Sequence, residues 1–251
     1  MRSVKSNLLF VLTAASAATA LRAQTTQPAD KPAKAESASA PVSRTGEKWW
    51  QERMDAVNAR AKQGDADLIF IGDSITQGWE NAGKDVWAKN YGTRKAVNLG
   101  FSGDRTQHVL WRLEHGNIDG ISPKLAVIMI GTNNTGGVAN TSDEITAGIG
   151  AIVTSLRTKL PQTKILLLGI FPRGEKPDHS ARSVIATVNR SINKLADDRS
   201  VYYLDIGQRF LADDGSISKD IMPDFLHLSP RGYEIWAAAI EEKVAALMKA
   251  S

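Results

Sequence analysis

The segment Leu68–Ile71, which reads Leu-Ile-Phe-Ile and runs into Gly72-Asp73-Ser74, decides the predicted fold. A short, unbroken apolar run that ends in a glycine turn is typical of a strand buried on both faces of a parallel sheet. Four further runs of this kind lie downstream, at residues 96–99, 125–130, 165–170 and 201–204. The sequence therefore predicts five buried parallel strands.

Segments with apolar residues at helical spacing lie between these runs. The predicted helices begin near Lys48 and continue with Trp79–Asn90, Thr106–His115, Ser142–Leu160, Ser180–Ala196 and Ser229–Met248. Alternating strands and helices predict an α/β fold, specifically a three-layer α/β/α sandwich in which helices cover both faces of a five-stranded parallel sheet.

Residues 1–23 have the features of a signal peptide. Arg2 and Lys5 precede an apolar stretch, and small residues follow it, so that cleavage is expected after Ala20 or Ala23. The alternative is a membrane anchor that stays uncut. We expect export to the periplasm or the medium, with no stable membrane anchor after cleavage.

Residues 24–47 are rich in Ala, Pro and Ser and contain almost no large apolar side chain. Such a composition cannot bury enough surface to offset the entropy of ordering the chain. The sequence predicts a disordered tether here, followed by one folded domain at residues 48–251.

Composition argues against nucleic-acid binding and against cysteine chemistry. The net charge of +4 comes from residues 1–46, which hold six basic and two acidic side chains, whereas the rest of the chain holds 25 of each sign. A neutral body is a poor nucleic-acid binder, so no nucleic-acid partner is expected. The chain contains no Cys, so a nucleophile must be oxygen or nitrogen and a thiolate zinc site is excluded.

Polar and glycine residues follow three of the five predicted strands. Ser74 follows the first strand, Gly100 ends the second, and Asn133 follows the third. In parallel α/β sheets, functional groups collect beyond the carboxyl ends of the strands. The alternative interpretation is that Ser74 caps a helix and that the other two belong to ordinary turns.

Asp224 and His227 lie three residues apart, just before the last predicted helix. At this spacing a carboxylate can hold one imidazole nitrogen and leave the other free to face a nucleophile. The remaining histidines, His108, His115 and His179, show neither a carboxylate at such a spacing nor the spacing of metal ligands, and no role is assigned to them.

Four motifs together carry a resemblance to a known family. Gly72-Asp73-Ser74-Ile75, the Gly100 turn, Gly131-Thr132-Asn133 and Asp224-Phe225-Leu226-His227 occur in the order of the four sequence blocks of the SGNH, or GDSL, hydrolase superfamily. The resemblance covers about Asp67 to Met248. Residues 98–114 are most similar to the catalytic subunits of intracellular platelet-activating-factor acetylhydrolase.

The resemblance implies a flavodoxin-like SGNH hydrolase fold and assigns a role to each motif residue. Ser74 would be the nucleophile, His227 the general base and then acid, and Asp224 the group that orients the imidazole. The oxyanion hole would consist of the Ser74 and Gly100 N–H groups and the Asn133 side chain. No cofactor and no metal are expected.

The residues beside the catalytic ones, Ile75, Thr132 and Leu226, would line the acyl pocket, and their moderate size favours a short acyl group such as acetyl. The expected activity is hydrolysis of a small-molecule or glycan ester through an acyl-enzyme, with carbohydrate O-acetyl esters preferred. The alternatives are a lysophospholipase or arylesterase of the same family and a non-catalytic binding module on the same fold. A homodimer is one expected oligomeric state, because the resembled branch forms dimers.

Overall fold

The computed structural model describes residues 35–249. The predicted signal peptide, residues 1–23, and the first part of the predicted tether, residues 24–34, lie outside the described residues.

The five predicted strands form a single parallel sheet, which confirms the predicted α/β class. The strands are β1 Leu68–Gly72, β2 Ala96–Gly100, β3 Leu125–Met129, β4 Lys164–Leu168 and β5 Val201–Leu204. Their order across the sheet is β2-β1-β3-β4-β5, and every neighbouring pair is parallel. The strand order therefore reverses at β1, and the crevice beyond its carboxyl end is the expected place for a site.

Seven α-helices cover the sheet along the described chain. They are α1 Lys48–Ala61, α2 Ser74–Gln77, α3 Lys84–Tyr91, α4 Thr106–Glu114, α5 Ser142–Lys159, α6 Ser180–Ile192 and α7 Pro230–Lys249. Within residues 35–249, no helix is long and apolar enough to cross a membrane.

Each face of the sheet has its own hydrophobic core. On one face, alternate strand residues such as Ile69 and Ile71 pack against α1, α4, α5 and α6. On the other face, Leu68 and Phe70 pack with residues of α3 and α7, including Trp236. Burial of both strand faces explains why the strands read as continuous apolar runs.

The predicted helix Trp79–Asn90 is the one that differs most from the structure. It is divided into a 3-10 turn at Gly78–Glu80 and α3, which starts only at Lys84. The division lies where α7 packs closely against this segment, because a Cβ at Gly83 would lie 2.8 Å from the ring of Tyr233. The glycine admits the tyrosine ring and ends the helical pattern.

Residues 36–47, here called the N-terminal strap, correct the predicted domain boundary. Thr106 Oγ1 donates to the Ala38 carbonyl at 2.7 Å, and the Val42 N–H donates to the Gln107 carbonyl at 3.1 Å. Ala38 is 1% exposed. The strap therefore lies along the domain rather than in a free tether. Its attachment relies on backbone and polar contacts, which apolar patterning does not reveal.

Candidate active site

Ser74 is the first residue of α2, directly after the end of β1. The turn between strand and helix is tight, since a Cβ at Gly72 would lie 2.1 Å from Thr76 Oγ1 and 2.4 Å from the Met129 carbonyl. Asp73 caps the helix by accepting the Ile75 N–H at 3.0 Å. This turn presents the Ser74 side chain at the carboxyl edge of the sheet.

The loop before α7 brings a histidine and a carboxylate to this serine. Ser74 Oγ lies 2.9 Å from His227 Nε2, and His227 Nδ1 lies 2.6 Å from Asp224 Oδ2. The loop turns sharply at Phe225, whose φ of 59° is in the left-handed region. The three side chains form one hydrogen-bonded line along which a proton can leave the serine hydroxyl for the imidazole.

Asp224 is held in its charged form by its neighbours. Partial burial works against the charge, but hydrogen bonds from the His227 side chain, the His227 N–H and the Leu226 N–H outweigh burial and lower the pKa of Asp224. The two N–H groups donate to Oδ1 at 2.7 Å and 3.1 Å, which leaves Oδ2 for the imidazole. The carboxylate is thus anionic and oriented at neutral pH.

Asp73 has the opposite electrostatic environment. Its side chain is fully buried, and burial raises its pKa to about 7, against the effect of the Ile75 N–H. Its Oδ2 has no hydrogen-bond partner among the described residues. Asp73 therefore acts on the site as a helix cap of variable charge behind the serine.

Two of the three predicted oxyanion donors have a free N–H in this arrangement, whereas the third does not. The Ser74 N–H, at the start of α2, has no acceptor within residues 35–249. Asn133 Nδ2 uses one hydrogen on the Asp104 carbonyl at 2.9 Å and keeps the other. The Gly100 N–H, however, donates to Asn98 Oδ1 at 2.8 Å, and this contact contradicts its predicted role.

The glycine at position 100 serves packing instead. A Cβ there would lie 2.2 Å from the Gln77 N atom, so the end of β2 can approach α2 only without a side chain. Sequence reasoning missed the next glycine of the same loop. The N–H of Gly103 has no acceptor in the described part of the chain, and its φ is 74°.

A small cavity of about 290 Å³ adjoins the serine and histidine. Its lining is rich in hydroxyl and amide groups, and consists of Ser74, Gln77, Gly78, Asn81, Ala82, Ser102, His227, Leu228 and Tyr233. The glycine-rich turn after β2 was the one sequence signal that could have pointed to Ser102.

The three predicted acyl-pocket residues do not line this cavity. Ile75 and Thr132 are each 1% exposed, and Ile75 packs into the core beneath the sheet. Leu226 is half-buried against the same core. Their contact with the acyl group stays a prediction, since the start of α2 turns the Ile75 side chain inward while Ser74 faces the crevice.

No group of three or more His, Asp or Glu side chains within residues 35–249 is arranged to hold a metal ion.

Known proteins are similar to this chain over the region that contains the candidate site. The sequence profile of the GDSL-like lipase/acylhydrolase family matches residues 70–235, from β1 into α7. The chain belongs to this family. It is accordingly a carboxylic ester hydrolase of the α/β type, as the order of the four motifs predicted.

Curated relatives of the chain are similar over most of their length. Subunit alpha2 of platelet-activating factor acetylhydrolase IB from Rattus norvegicus is 38% identical over 208 residues, which cover 81% of this chain and 87% of the relative. Subunit alpha1 from Homo sapiens is 36% identical over 193 residues, which cover 75% and 79%.

Solved structures share the fold of this acylhydrolase. An acylhydrolase structure from Bacteroides fragilis has a TM-score of 0.65 at 22% identity, covering 80% of this chain and 100% of that chain. A catalytic mutant of an acetylxylan esterase from Geobacillus stearothermophilus has a TM-score of 0.58 at 20% identity, covering 72% and 94%.

Proposed function

We propose that this acylhydrolase is a serine esterase that cleaves short-chain esters through an acyl-enzyme. The observation that carries the proposal is the continuous line from Ser74 Oγ through His227 to Asp224, with separations of 2.9 Å and 2.6 Å. A serine hydroxyl is a weak nucleophile until a base takes its proton, and this geometry supplies the base.

In the proposed reaction His227 Nε2 accepts the hydroxyl proton as Ser74 Oγ attacks the ester carbonyl. The anionic Asp224 stabilises the imidazolium that results. His227 then gives the proton to the leaving alcohol, and the acyl group stays on Ser74. Water, deprotonated by His227, attacks the acyl-enzyme; His227 then returns the proton to Ser74 Oγ as the acid leaves.

The tetrahedral oxyanion needs donors that are already in place. The Ser74 N–H, the free hydrogen of the Asn133 amide and the Gly103 N–H are the available groups at the edge of the sheet. Removing one such donor costs about 3 kcal/mol of transition-state stabilisation in a measured case.

Two features support a short acyl group, acetyl in particular. The cavity beside Ser74 has about 290 Å³, near the lower limit of ligand pockets. Two similar proteins are named as an acetylhydrolase and an acetylxylan esterase. We expect kcat/KM for p-nitrophenyl esters to fall from acetate to octanoate; an increase along this series would contradict the proposal.

For the alcohol part we propose an O-acetylated carbohydrate. The cavity offers hydroxyl and amide groups at Gln77, Asn81 and Ser102, which suit sugar hydroxyls. Acetate release from acetylated xylan, acetylated simple sugars, sialic acids and an acetyl-phospholipid tests this directly. Release from the phospholipid alone would instead favour the lysophospholipase alternative, which the acetylhydrolase relatives support.

A purified full-length chain with Ser74→Ala or His227→Ala tests the triad. We expect hydrolysis of p-nitrophenyl acetate by each variant to approach the rate of the buffer. Activity that survives both substitutions would contradict the assignment. No activity in the unsubstituted chain would favour the binding-module alternative.

We further propose that the protein is exported, to the periplasm or the medium, and that it forms a homodimer. The order of charged, apolar and small residues over positions 1–23 supports export.

The dimer is tested by light scattering on the purified chain, and a mass of one chain at micromolar concentration would contradict it.

A further inference from the structure

Arg44 of the N-terminal strap reaches the loop that carries Gly103, one of the candidate oxyanion donors. Its Nη1 donates to the Ser102 carbonyl at 2.7 Å and to Asp104 Oδ1 at 2.9 Å. On its other edge, Nε and Nη2 donate to the two carboxylate oxygens of Glu47 at 2.9 Å and 2.8 Å. Only 15% of the side chain is exposed, so the guanidinium is held from both sides.

The carbonyl that Arg44 binds belongs to the Ser102–Gly103 peptide. A trans peptide is planar, with its C=O and N–H pointing in opposite directions. Fixing the Ser102 carbonyl on Arg44 therefore fixes the direction of the Gly103 N–H, away from the strap. Ser102 itself lines the cavity that contains Ser74 and His227. Glycine at position 103 permits many backbone conformations, so this peptide needs an external anchor.

The second contact of Arg44 leads to the other donor. Asp104 is fully buried, and its main-chain carbonyl accepts the Asn133 amide at 2.9 Å. The Asp104 carboxylate also accepts hydrogen bonds from Trp50 Nε1 at 2.9 Å and from Arg112 Nε at 2.7 Å. Without Arg44, Asp104 would keep these two donors, whereas the described chain supplies the Ser102 carbonyl with no other donor.

We propose that Arg44 is a positioning residue that orients the Ser102–Gly103 peptide, and with it the Gly103 N–H, toward the oxyanion. The inference rests on the proposed function. Arg44 would thus affect catalysis indirectly, because it contributes no group to the reaction itself.

The test uses the full-length chain with Arg44→Met, Arg44→Lys and, as a matched control, Glu47→Gln. Arg44→Met should lower kcat for p-nitrophenyl acetate by about 10–100-fold and change KM by less than about threefold. Phenylboronic acid forms a tetrahedral adduct with a nucleophilic serine. Arg44→Met should weaken the binding of this inhibitor by a similar factor. Arg44→Lys keeps a donor for the Ser102 carbonyl and should recover most of the loss. Glu47→Gln removes only the outer partner of Arg44 and should resemble the unsubstituted chain.

Three results would overturn the role of Arg44. They are a kcat of Arg44→Met within about twofold of the unsubstituted chain, a lower kcat with unchanged boronate affinity, and a loss that only matches a smaller folded fraction by circular dichroism. The variant Ser74→Ala distinguishes failure of the proposed function from failure of the role of Arg44. If Ser74→Ala is fully active, the proposed function fails; if it is inactive while Arg44→Met is fully active, only the role of Arg44 fails.

Discussion

Asp224 contacts His227 through both of its carboxylate oxygens, at 2.6 Å to Nδ1 and 2.7 Å to the N–H. Asp224→Asn keeps the shape of the side chain but removes the anion that stabilises the protonated imidazole. We expect kcat for p-nitrophenyl acetate to fall about 10²–10⁴-fold, with a smaller change in KM.

Asp220→Asn is the matched control for that prediction. Asp220 is an exposed carboxylate four positions earlier in the same loop, and its hydrogen bonds to Ser218 and Ser229 involve only its backbone. It should leave kcat close to that of the unsubstituted chain. Equal losses in the two variants would assign the effect to the loop rather than to the pairing with His227.

Asp73 gives the protein a pH-dependent stability. The pKa of this buried carboxyl is raised to about 7, from 3.8 in an exposed carboxyl. Between these values the unfolded chain loses the proton while the folded chain keeps it. Stability therefore falls as pH rises from about 4 to about 7 and levels off above, by at most about 4 kcal/mol.

Asp73→Asn should remove this dependence, since the amide oxygen can still accept the Ile75 N–H. We measure the free energy of unfolding of both chains in urea. We expect the gain in stability of Asp73→Asn over the unsubstituted chain to be larger at pH 8 than at pH 5. The exposed Asp213→Asn serves as the control. An equal difference at both pH values would contradict the raised pKa.

The pairing of Asp224 with His227 was predictable because their spacing is local, whereas the contact between Ser74 and His227, 153 positions apart, was predicted from the family resemblance. Asp224 and His227 share one loop, and Ser74 follows a strand whose apolar run is unmistakable. Gly100 was assigned wrongly because the Asn98 side chain folds back on its N–H, a tertiary detail without a sequence signal. The burial of Ile75 was not predictable, because the first turn of a short helix does not reveal which side chain faces the core.

The turn between β1 and α2 depends on Gly72. An added Cβ would meet both Thr76 Oγ1 and the Met129 carbonyl well inside contact distance, at 2.1 Å and 2.4 Å. We expect Gly72→Ala to destabilise the fold by more than about 2 kcal/mol in urea unfolding and to lower kcat by displacing Ser74.

Gly150→Ala provides the control at the scale of a helix. Gly150 lies within α5, and an added Cβ would meet nothing within 4 Å. Alanine is the better helix former, so this variant should be neutral or more stable by up to about 1 kcal/mol. If Gly72→Ala and Gly150→Ala have the same free energy of unfolding, the turn between β1 and α2 does not depend on Gly72.

The elements themselves were largely predictable, because continuous apolar strands and amphipathic helices depend on local pattern. The helix predicted over Trp79–Asn90 was wrong in its first turn, since the close approach of Tyr233 to Gly83 ends it. The strap was missed for the converse reason. Its polar and backbone contacts with α4 have no periodicity, so its composition indicated disorder.

For the whole molecule, removal of residues 1–23 would change its charge. The expected cut after Ala23 removes Arg2, Lys5 and Arg22, so the net charge of +4 falls to +1. We expect intact-mass spectrometry of the protein from its native host to give a chain that starts at Leu21 or Gln24. A chain that retains Met1 and sediments with membranes would contradict export and favour an uncut anchor.

In the proposed reaction Ser74 carries the acyl group. Rapid mixing with p-nitrophenyl acetate, followed by acid quench and mass spectrometry of the peptides, tests this most directly. We expect a burst of about one p-nitrophenol per chain and one acetyl group on the peptide that contains Ser74, both absent from Ser74→Ala. Product formation without a burst adduct on that peptide, or an acetyl group on another residue, would contradict it.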